Sequence, residues 1–508
     1  MSNSNNNYMA SPAVAYRPHQ RWSLNDLSTE LLILIIEQLA NADAWSLGTA
    51  RLFSARFNAI VTPVKYRTLR MTQNIIAPQA EIYFPGGLAN IYTHTRHVKV
   101  DSNFNAEYAK RILDKIEGLS SISWCYVQDD LRKGDFWVPS DVLPRRHIQS
   151  NKVKLYIENL PLQDFRSEQH NSYLRAIPTG ILVSLKMAVP TPALTARVGS
   201  LKGLLLNSRR LESFYYDDRG QGTQFEFSGN ERLPPFRELY LRSYHWNHSA
   251  TVVRKHWDFT EIRHLEMVHV PLGPFLHSVS FADFQNLETL RLDGHNEYLL
   301  HKRQDVTRGL YILIKQIRAL VELKIICDTS SFPVDGILQH ARSLNSLCFR
   351  DFTGFTDEHR RCPTIKIEDL DIISRTLFNL RTLELDMDGE CCELYHFLQT
   401  LSNFRQLNTL TLHTQTVLNP LEYIDMTMDP DYERTMQLLS LLVQSKQGAQ
   451  WRSITINVGG WEPIMVRRLS IPWQEQNSRG VYAERCFVME RQENGALVVR
   501  EELPRRAT

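Results

Sequence analysis

The chain has no long hydrophobic run. Its longest uninterrupted apolar stretch in 508 residues is Leu31–Ile36, whereas a membrane-spanning helix needs about 20 such residues. It also has no excess of one charge. Lysine and arginine number 58 against 56 aspartates and glutamates, the net charge is +2 and no five like charges stand in a row. Nothing therefore draws the chain as a whole to nucleic acid or to an anionic membrane. Cysteine is scarce: Cys125, Cys327, Cys348, Cys362, Cys391, Cys392 and Cys486 form an odd, scattered set. In a chain large enough for a real core, that predicts reduced thiols and no disulfide framework. Residues 1–20 lack a basic start and an apolar core, so they read as a disordered polar tail and not as a secretion signal. Together these absences predict an intracellular protein, in cytoplasm or nucleus.

The spacings that chemistry imposes are missing too. There is no G-x-x-x-x-G-K-[ST], H-E-x-x-H or G-x-S-x-G, which removes the common phosphate cradle, zinc-peptidase helix and nucleophile elbow. Gly220-Gln221-Gly222 has no third glycine and reads as a turn. Cys391 and Cys392, near Glu393 and His396, lack the second paired element of a zinc site and read as buried thiols. His245, His248 and His256, interleaved with Trp246 and Trp257, form the densest histidine cluster. Packing and hydrogen bonding account for it better than a metal. No catalytic residue and no cofactor is expected.

What is present is a repeat. From about residue 91 the chain returns to one pattern, apolar-x-x-apolar-x-apolar, followed by a polar turn and a helical stretch. The clear instances are Phe236-Leu239-Leu241, Ile262-Leu265-Met267, Leu287-Leu290-Leu292, Leu320-Leu323-Ile325, Leu344-Leu347-Phe349, Leu380-Leu383-Leu385, Leu407-Leu410-Leu412 and Trp451-Ile454-Ile456. Their first members step by 26, 25, 33, 24, 36, 27 and 44 residues, so the longer steps imply inserted helices or loops. Weaker copies lie upstream at Val98-Val100, Leu119-Ile122-Trp124, Val153-Leu155-Ile157, Leu182-Leu185-Met187 and Leu211-Phe214-Tyr216. Leu201-Leu204-Leu206 stands too close to Leu211 for a further unit and reads as a connecting helix.

This series resembles the leucine-rich repeat, although the asparagine or cysteine that regular units carry after the last leucine is mostly missing. The resemblance implies an irregular solenoid over 91–460 whose strand x positions face a concave surface, where a client protein would lie. Those positions include Tyr240, Arg242, Glu266, Arg291, Asp293, Lys324, Arg350, Glu384, Asp386, Thr411 and His413. After the array, 461–508 reads as a cap whose two apolar strands turn at Asn494-Gly495, a dipeptide that favours hairpins.

Ahead of the array, Leu27, Leu31, Ile35 and Leu39 fall at i, i+4, i+8 and i+12, one helical stripe. Leu32, Leu34 and Ile36 widen it beyond what one small core can cover. Asp26 or Ser28 can cap the start, with Glu30 at the positive end of the helix dipole. A second apolar spacing runs through Leu47, Ala50 and Leu52 to Phe57 and Ile60. So few residues bury little surface alone, so an obligate partner is expected. The segment 21–70 resembles an F-box: Leu27, Glu30, Leu31, Leu32, Ile35, Leu39 and Asp43, then Ser54, Arg56 and Phe57, match its pattern. Ser28 departs from the family's usual proline, and the span from Asp43 to Phe57 is about three residues longer than usual.

The resemblance implies that Leu27, Ser28, Glu30, Leu31, Leu32, Ile35, Leu39 and Phe57 bind a Skp-type adaptor and, through it, a cullin. The fold class expected is therefore α/β: a small N-terminal F-box helical unit, a linker at 71–90, an irregular leucine-rich-repeat solenoid and a C-terminal β-hairpin. The function implied is substrate recognition in a Skp–cullin–F-box ubiquitin ligase. The alternative is a non-catalytic repeat scaffold whose F-box-like helices act as a cap or outside ubiquitin transfer.

Overall fold

A strand that carries apolar side chains on one face, followed by a helix with one apolar stripe, cannot hide both within a single unit; the next unit must close it. The chain obeys this constraint throughout. The computed structural model describes residues 24–43, 45–127, 138–150, 152–161, 172–188, 198–218, 222–293, 300–351, 364–389, 393–417, 429–459 and 485–502. The tail 1–20, Cys362, Cys391 and Cys392 lie outside the described residues. Two compact units emerge, one running to Lys99 and including Arg111–Ser120, the other comprising Val100–Lys110 and everything from Ser121 onward.

In the first unit, helices α1 (Thr29–Ala42), α2 (Ser46–Ala50) and α3 (Ala55–Tyr66) precede strands β1 (Thr68–Arg70) and β2 (His97–Asp101). β1 and β2 are parallel, Leu69 opposite Val98. The stretch 71–90 is not a linker. It folds into helical turns at Gln73–Ile76 and Ala80–Tyr83 and begins the helix Pro85–His94, and it buries Met71, Ile76, Ala80 and Leu88. Proline at the first helical turn starts a helix there, because its missing N–H would have no partner in any case.

The second unit contains β3 (Ser121–Cys125), β4 (Lys154–Leu160), β5 (Leu182–Met187), β6 (Ser213–Asp217), β7 (Glu238–Arg242), β8 (His264–Val268), β9 (Thr289–Asp293) and β10 (Glu322–Cys327). It continues with β11 (Ser346–Asp351), β12 (Thr382–Asp386), β13 (Thr409–Thr414), β14 (Ser453–Val458), β15 (Arg485–Arg491) and β16 (Leu497–Glu502). β3 to β16 lie in the sheet in sequence order. β3 to β14 pair in parallel, and β15 and β16 turn back antiparallel. The hairpin closes at Gly495, whose φ of +83° only glycine adopts readily. Strands followed by helices, stacked in order, make a leucine-rich-repeat type of array. Two of the longer sequence steps hold long helices, Leu300–Gln316 and Pro430–Ser445, and Leu201–Leu206 lies within the helix Val198–Asn207.

All residues of the eight clear triplets are at most 2% exposed. Register aligns them in columns: Leu239, Leu265, Leu290, Leu323, Leu347, Leu383, Leu410 and Ile454 form one, with Leu241 through Ile456 beside it. A backbone ladder fixes the spacing. The carbonyl just before each of the strands β6 to β13 accepts two N–H groups from the next unit: Arg237 from Arg263 and His264, Arg263 from Glu288 and Thr289, Asn345 from Arg381 and Thr382, Arg381 from Asn408 and Thr409.

Near the end of the array Ala449 donates its N–H to the Arg405 carbonyl at 2.7 Å, which forces Gly448 to φ +79° and close against that carbonyl. A Cβ at Gly448 would meet the Arg405 oxygen at 2.4 Å, whereas one at Gly495 meets nothing within 4 Å. Gly448→Ala should therefore destabilise by about 2 kcal/mol or more, and Gly495→Ala by about 1 kcal/mol. Urea denaturation of both variants checks the difference.

Candidate functional site

Two surfaces gather the residues singled out by sequence. The first is α1. Ser28 caps it, its hydroxyl accepting the Leu31 N–H at 3.4 Å, the role that lets serine replace a helix-starting proline. Hydrogen bonds from its own backbone and from Ser28 hold the Glu30 carboxyl below the usual range. Ser54 caps α3 by accepting the Phe57 N–H at 3.1 Å. Arg56 donates to the Leu27 carbonyl at 2.8 Å and to the Asn25 carbonyl. The Ser-basic-aromatic element thus ties the start of α3 to the start of α1. Asp43 accepts the Trp45 N–H at 3.0 Å and the Ser46 hydroxyl, marking the start of α2.

The helix has two apolar faces. Leu32 and Ile36 join Leu47, Ala50, Phe57 and Val61 in a closed core, with Leu27 and Leu39 packed half-buried against it. Leu31, Leu34 and Ile35 point away, 49%, 57% and 43% exposed. Leu24, Trp45, Leu52 and Phe53 are exposed as well. Leu32 and Phe57, expected among the adaptor contacts, lie in that core: Leu32 stands one residue past Leu31 on the inward side of α1, and Phe57 belongs to α3. Leu34 and Trp45 are presented to solvent though not singled out by sequence.

The second surface is the outward row of the sheet. Register sets Lys186, Tyr215, Tyr240, Glu266, Arg291, Lys324, Cys348, Glu384, Thr411 and Thr455 side by side. Most of its charges satisfy one another. Arg291 reaches Glu266 at 3.2 Å and Glu322 at 2.6 Å. Lys324 lies 3.7 Å from Glu384, and Arg350 bonds Asp386 at 2.9 Å and lies 3.8 Å from Glu384. His413, Asp386 and Cys348 are buried. Burial and Arg350 push the His413 imidazole below its ordinary range, so at neutral pH it is an uncharged donor, bonded to Glu384 at 2.9 Å.

Burial opposes the Glu384 charge, yet the His413 bond and the Lys324 and Arg350 cations hold its carboxyl well below the carboxylate range. Burial pushes the Cys348 thiol up, with Glu384 reinforcing it. Arg242 lies 3.9 Å from Asp217, and Asp293 ends β9 half-buried. Of the expected client contacts, Tyr240 stands half-buried with its ring 5.5 Å from that of Tyr215.

Sequence reading missed the structural role of the strand-end aspartates, naming only Asp293 and Asp386 and those as client-facing. Asp217, Asp218, Asp328, Asp351 and Asp386 are all buried. Asp386 accepts the Asp351 N–H at 2.8 Å, Asp351 the Thr329 N–H at 2.9 Å and Asp218 the Thr223 N–H at 3.0 Å. They satisfy turn donors, which is the task that leaves no need for asparagine there. The signal was an aspartate directly after the last apolar residue, as at Tyr216-Asp217, Leu292-Asp293 and Leu385-Asp386.

The histidine cluster is packing. Tyr244, Trp246 and His248 are buried while His245 and Asn247 are exposed, an alternation that sends His245 and His248 to opposite sides. Tyr244 accepts the Phe225 N–H at 2.8 Å and is bonded to His248 Nε2 at 2.8 Å. His256 Nδ1 meets the Glu231 carbonyl. Among the described residues no group of three or more metal-ligating side chains comes together.

Two outcomes follow. Glu384→Gln leaves Arg350 and Lys324 undercompensated in a buried setting and should cost about 3 kcal/mol in denaturant unfolding. Burial, with His256 and His245 nearby, pushes His248 down to about 4 from 6.5. The folded chain therefore refuses a proton that the unfolded chain accepts, and stability is lost as pH falls from about 6.5 towards 4. Between pH 7 and 5 the loss through this group amounts to about 2 kcal/mol. Unfolding of the wild type and of His248→Phe at both pH values checks it: the variant should lose that part of the pH dependence.

No family model matches the chain, and no curated protein matches it. Among solved structures it is similar to the leucine-rich repeat-containing protein LegL7 from Legionella pneumophila. The identity is 11% and the TM-score 0.25, over 74% of this chain and 97% of that one. The leucine-rich-repeat description of the array rests on its own repeat geometry.

Proposed function

We propose that this chain is a non-catalytic substrate receptor of a Skp–cullin–F-box ubiquitin ligase: α1 and its neighbours hold a Skp-type adaptor, and the repeat array holds a client protein. The observation that carries the reading is the division of α1 into a face closed by its own core and a face that leaves Leu31, Leu34 and Ile35 in solvent. Three large aliphatic side chains exposed within five residues of one helix make an apolar patch of the kind that marks a protein interface; Trp45, Leu52 and Phe53 are exposed in the segment that follows. The residues that form it lie in the segment that resembles an F-box. The repeat array suits the second task because its outward row is long, polar and held in register by the strands beneath it.

The mechanism is proximity. Client and ubiquitin-loaded conjugating enzyme held on one scaffold meet at a high effective concentration, and no side chain of this chain takes part in a covalent step. No helix among the described residues is long and apolar enough to cross a membrane.

Co-expression with a Skp-type adaptor, followed by gel filtration, tests the proposal. Leu31→Asp and Ile35→Asp should each reduce capture at least tenfold with the thermal melt of the chain unchanged. Leu32→Asp should lower the melt itself. Adaptor capture by the doubly substituted Leu31→Asp/Ile35→Asp chain at the wild-type level contradicts the reading. Capture of adaptor without cullin favours the alternative, a scaffold outside ubiquitin transfer.

A further inference from the structure

The outward face of the array is not uniform. From β9 to β13 its charged side chains are committed to one another. At the N-terminal ends of β4 to β8 stands a row that is not so committed. There a groove of about 630 Å³ runs along the N-terminal ends of the strands, its floor formed by Tyr156, Ser184, Ser213, Glu238 and His264, which the register sets side by side. All five are half-buried, yet none makes a side-chain hydrogen bond or ion pair with another described residue. Half-buried polar groups without partners in the chain are ones a ligand can engage without first breaking an existing bond.

The charge balance of the groove indicates what that ligand carries. The two rim arginines are matched, Arg237 by Glu212 at 3.5 Å and Arg263 by Glu288 at 2.9 Å. This leaves Glu238 as the unmatched carboxylate of the lining. Two residues further along the same face of β7 stands Tyr240, its ring half-exposed and 5.5 Å from that of Tyr215. Tyr215 already carries an ammonium, Lys186 Nζ lying 5.0 Å from its ring centre; among the described residues Tyr240 carries none. Burial, together with the charges of Glu238 and Glu266, pushes the Tyr240 hydroxyl up, and Glu266 is bound by Arg291. An aromatic face with a free carboxylate beside it suits a cation.

We propose that this groove takes an extended segment of a client protein bearing an arginine or lysine, its cation placed against Glu238 and over the Tyr240 ring. The backbone of the segment meets the hydroxyls of Ser184, Ser213 and Tyr156. The assignment of the occupant to a client rests on the receptor reading; the preference for a cation rests on the groove alone.

The test uses the full chain and immobilised decapeptide pools, random except for a central arginine, lysine, glutamate or leucine. The arginine and lysine pools should retain the chain at least fivefold better than the other two. Glu238→Gln and Tyr240→Ala should bring that ratio close to one, and Glu433→Gln, exposed on the helix Pro430–Ser445 outside the groove, should leave it intact. Glu238 has no partner to lose, so Glu238→Gln decides the matter even where Tyr240→Ala disturbs folding. Equal retention of all pools, retention of none at about millimolar peptide, or an undiminished preference in Glu238→Gln overturns the proposal. Adaptor capture is read separately. Intact capture without a cation preference removes the groove assignment alone, whereas a cation preference without capture removes the receptor reading and leaves the groove.

Discussion

Everything in the array depends on an apolar face that no unit can close by itself. Leu383 and Leu385 are sealed only because Leu347 and Phe349 lie on one side and Leu410 and Leu412 on the other. The same holds along both columns. Hydrophobic burial supplies the drive to stack, and from β6 to β13 the doubled carbonyl ladder before the strands sets the distance at which stacking stops. Because both devices use only the inward side chains and the backbone, the outward side chains are free of any role in closing the core. Function is then open to be written on that face.

The two halves of the face use this freedom differently. From β9 to β13 it is spent on cross-strand ion pairs, with Glu384 gathering Lys324, Arg350 and His413. Such a network makes the face rigid and self-contained, and it has little to offer a ligand without first breaking a pair. From β4 to β8 the face holds unpaired hydroxyls, tyrosine rings and one unmatched carboxylate. The first unit shows the same division within one helix. Leu32 and Ile36 hold the three helices together, while Leu31, Leu34 and Ile35 hold nothing in the chain itself.

The repeat was legible because burial at period two within a strand leaves its pattern in the residues themselves: each apolar triplet proved a strand with its lead-in, down to the weak copies at β3 to β6. The hairpin at Asn494-Gly495 was legible for a similar reason, a turn type with its own residue demand. The ion pairs were not, since Arg350 and Asp386 stand far apart in sequence and meet only once register is known. Nor was the groove, whose floor draws one residue from each of five strands. The stripe Leu27, Leu31, Ile35 and Leu39 was legible as a helix, but spacing fixes only which residues align and not which side of a largely apolar helix its own core covers: Leu31 and Ile35 face outward, whereas Leu27 and Leu39 pack half-buried against the core. The stretch 71–90 carries no copy of the repeat and was expected as a linker, whereas Pro85 opens a helix there.

The central claim is that α1 presents its outward face to an adaptor while the repeat face stays available. Hydrogen exchange of the chain with and without a Skp-type adaptor, resolved by peptide, tests it most directly. The account predicts added protection confined to peptides covering 24–53, with the strands from β4 to β13 unchanged. Protection on those strands, or none on α1 in a complex that demonstrably forms, would contradict it.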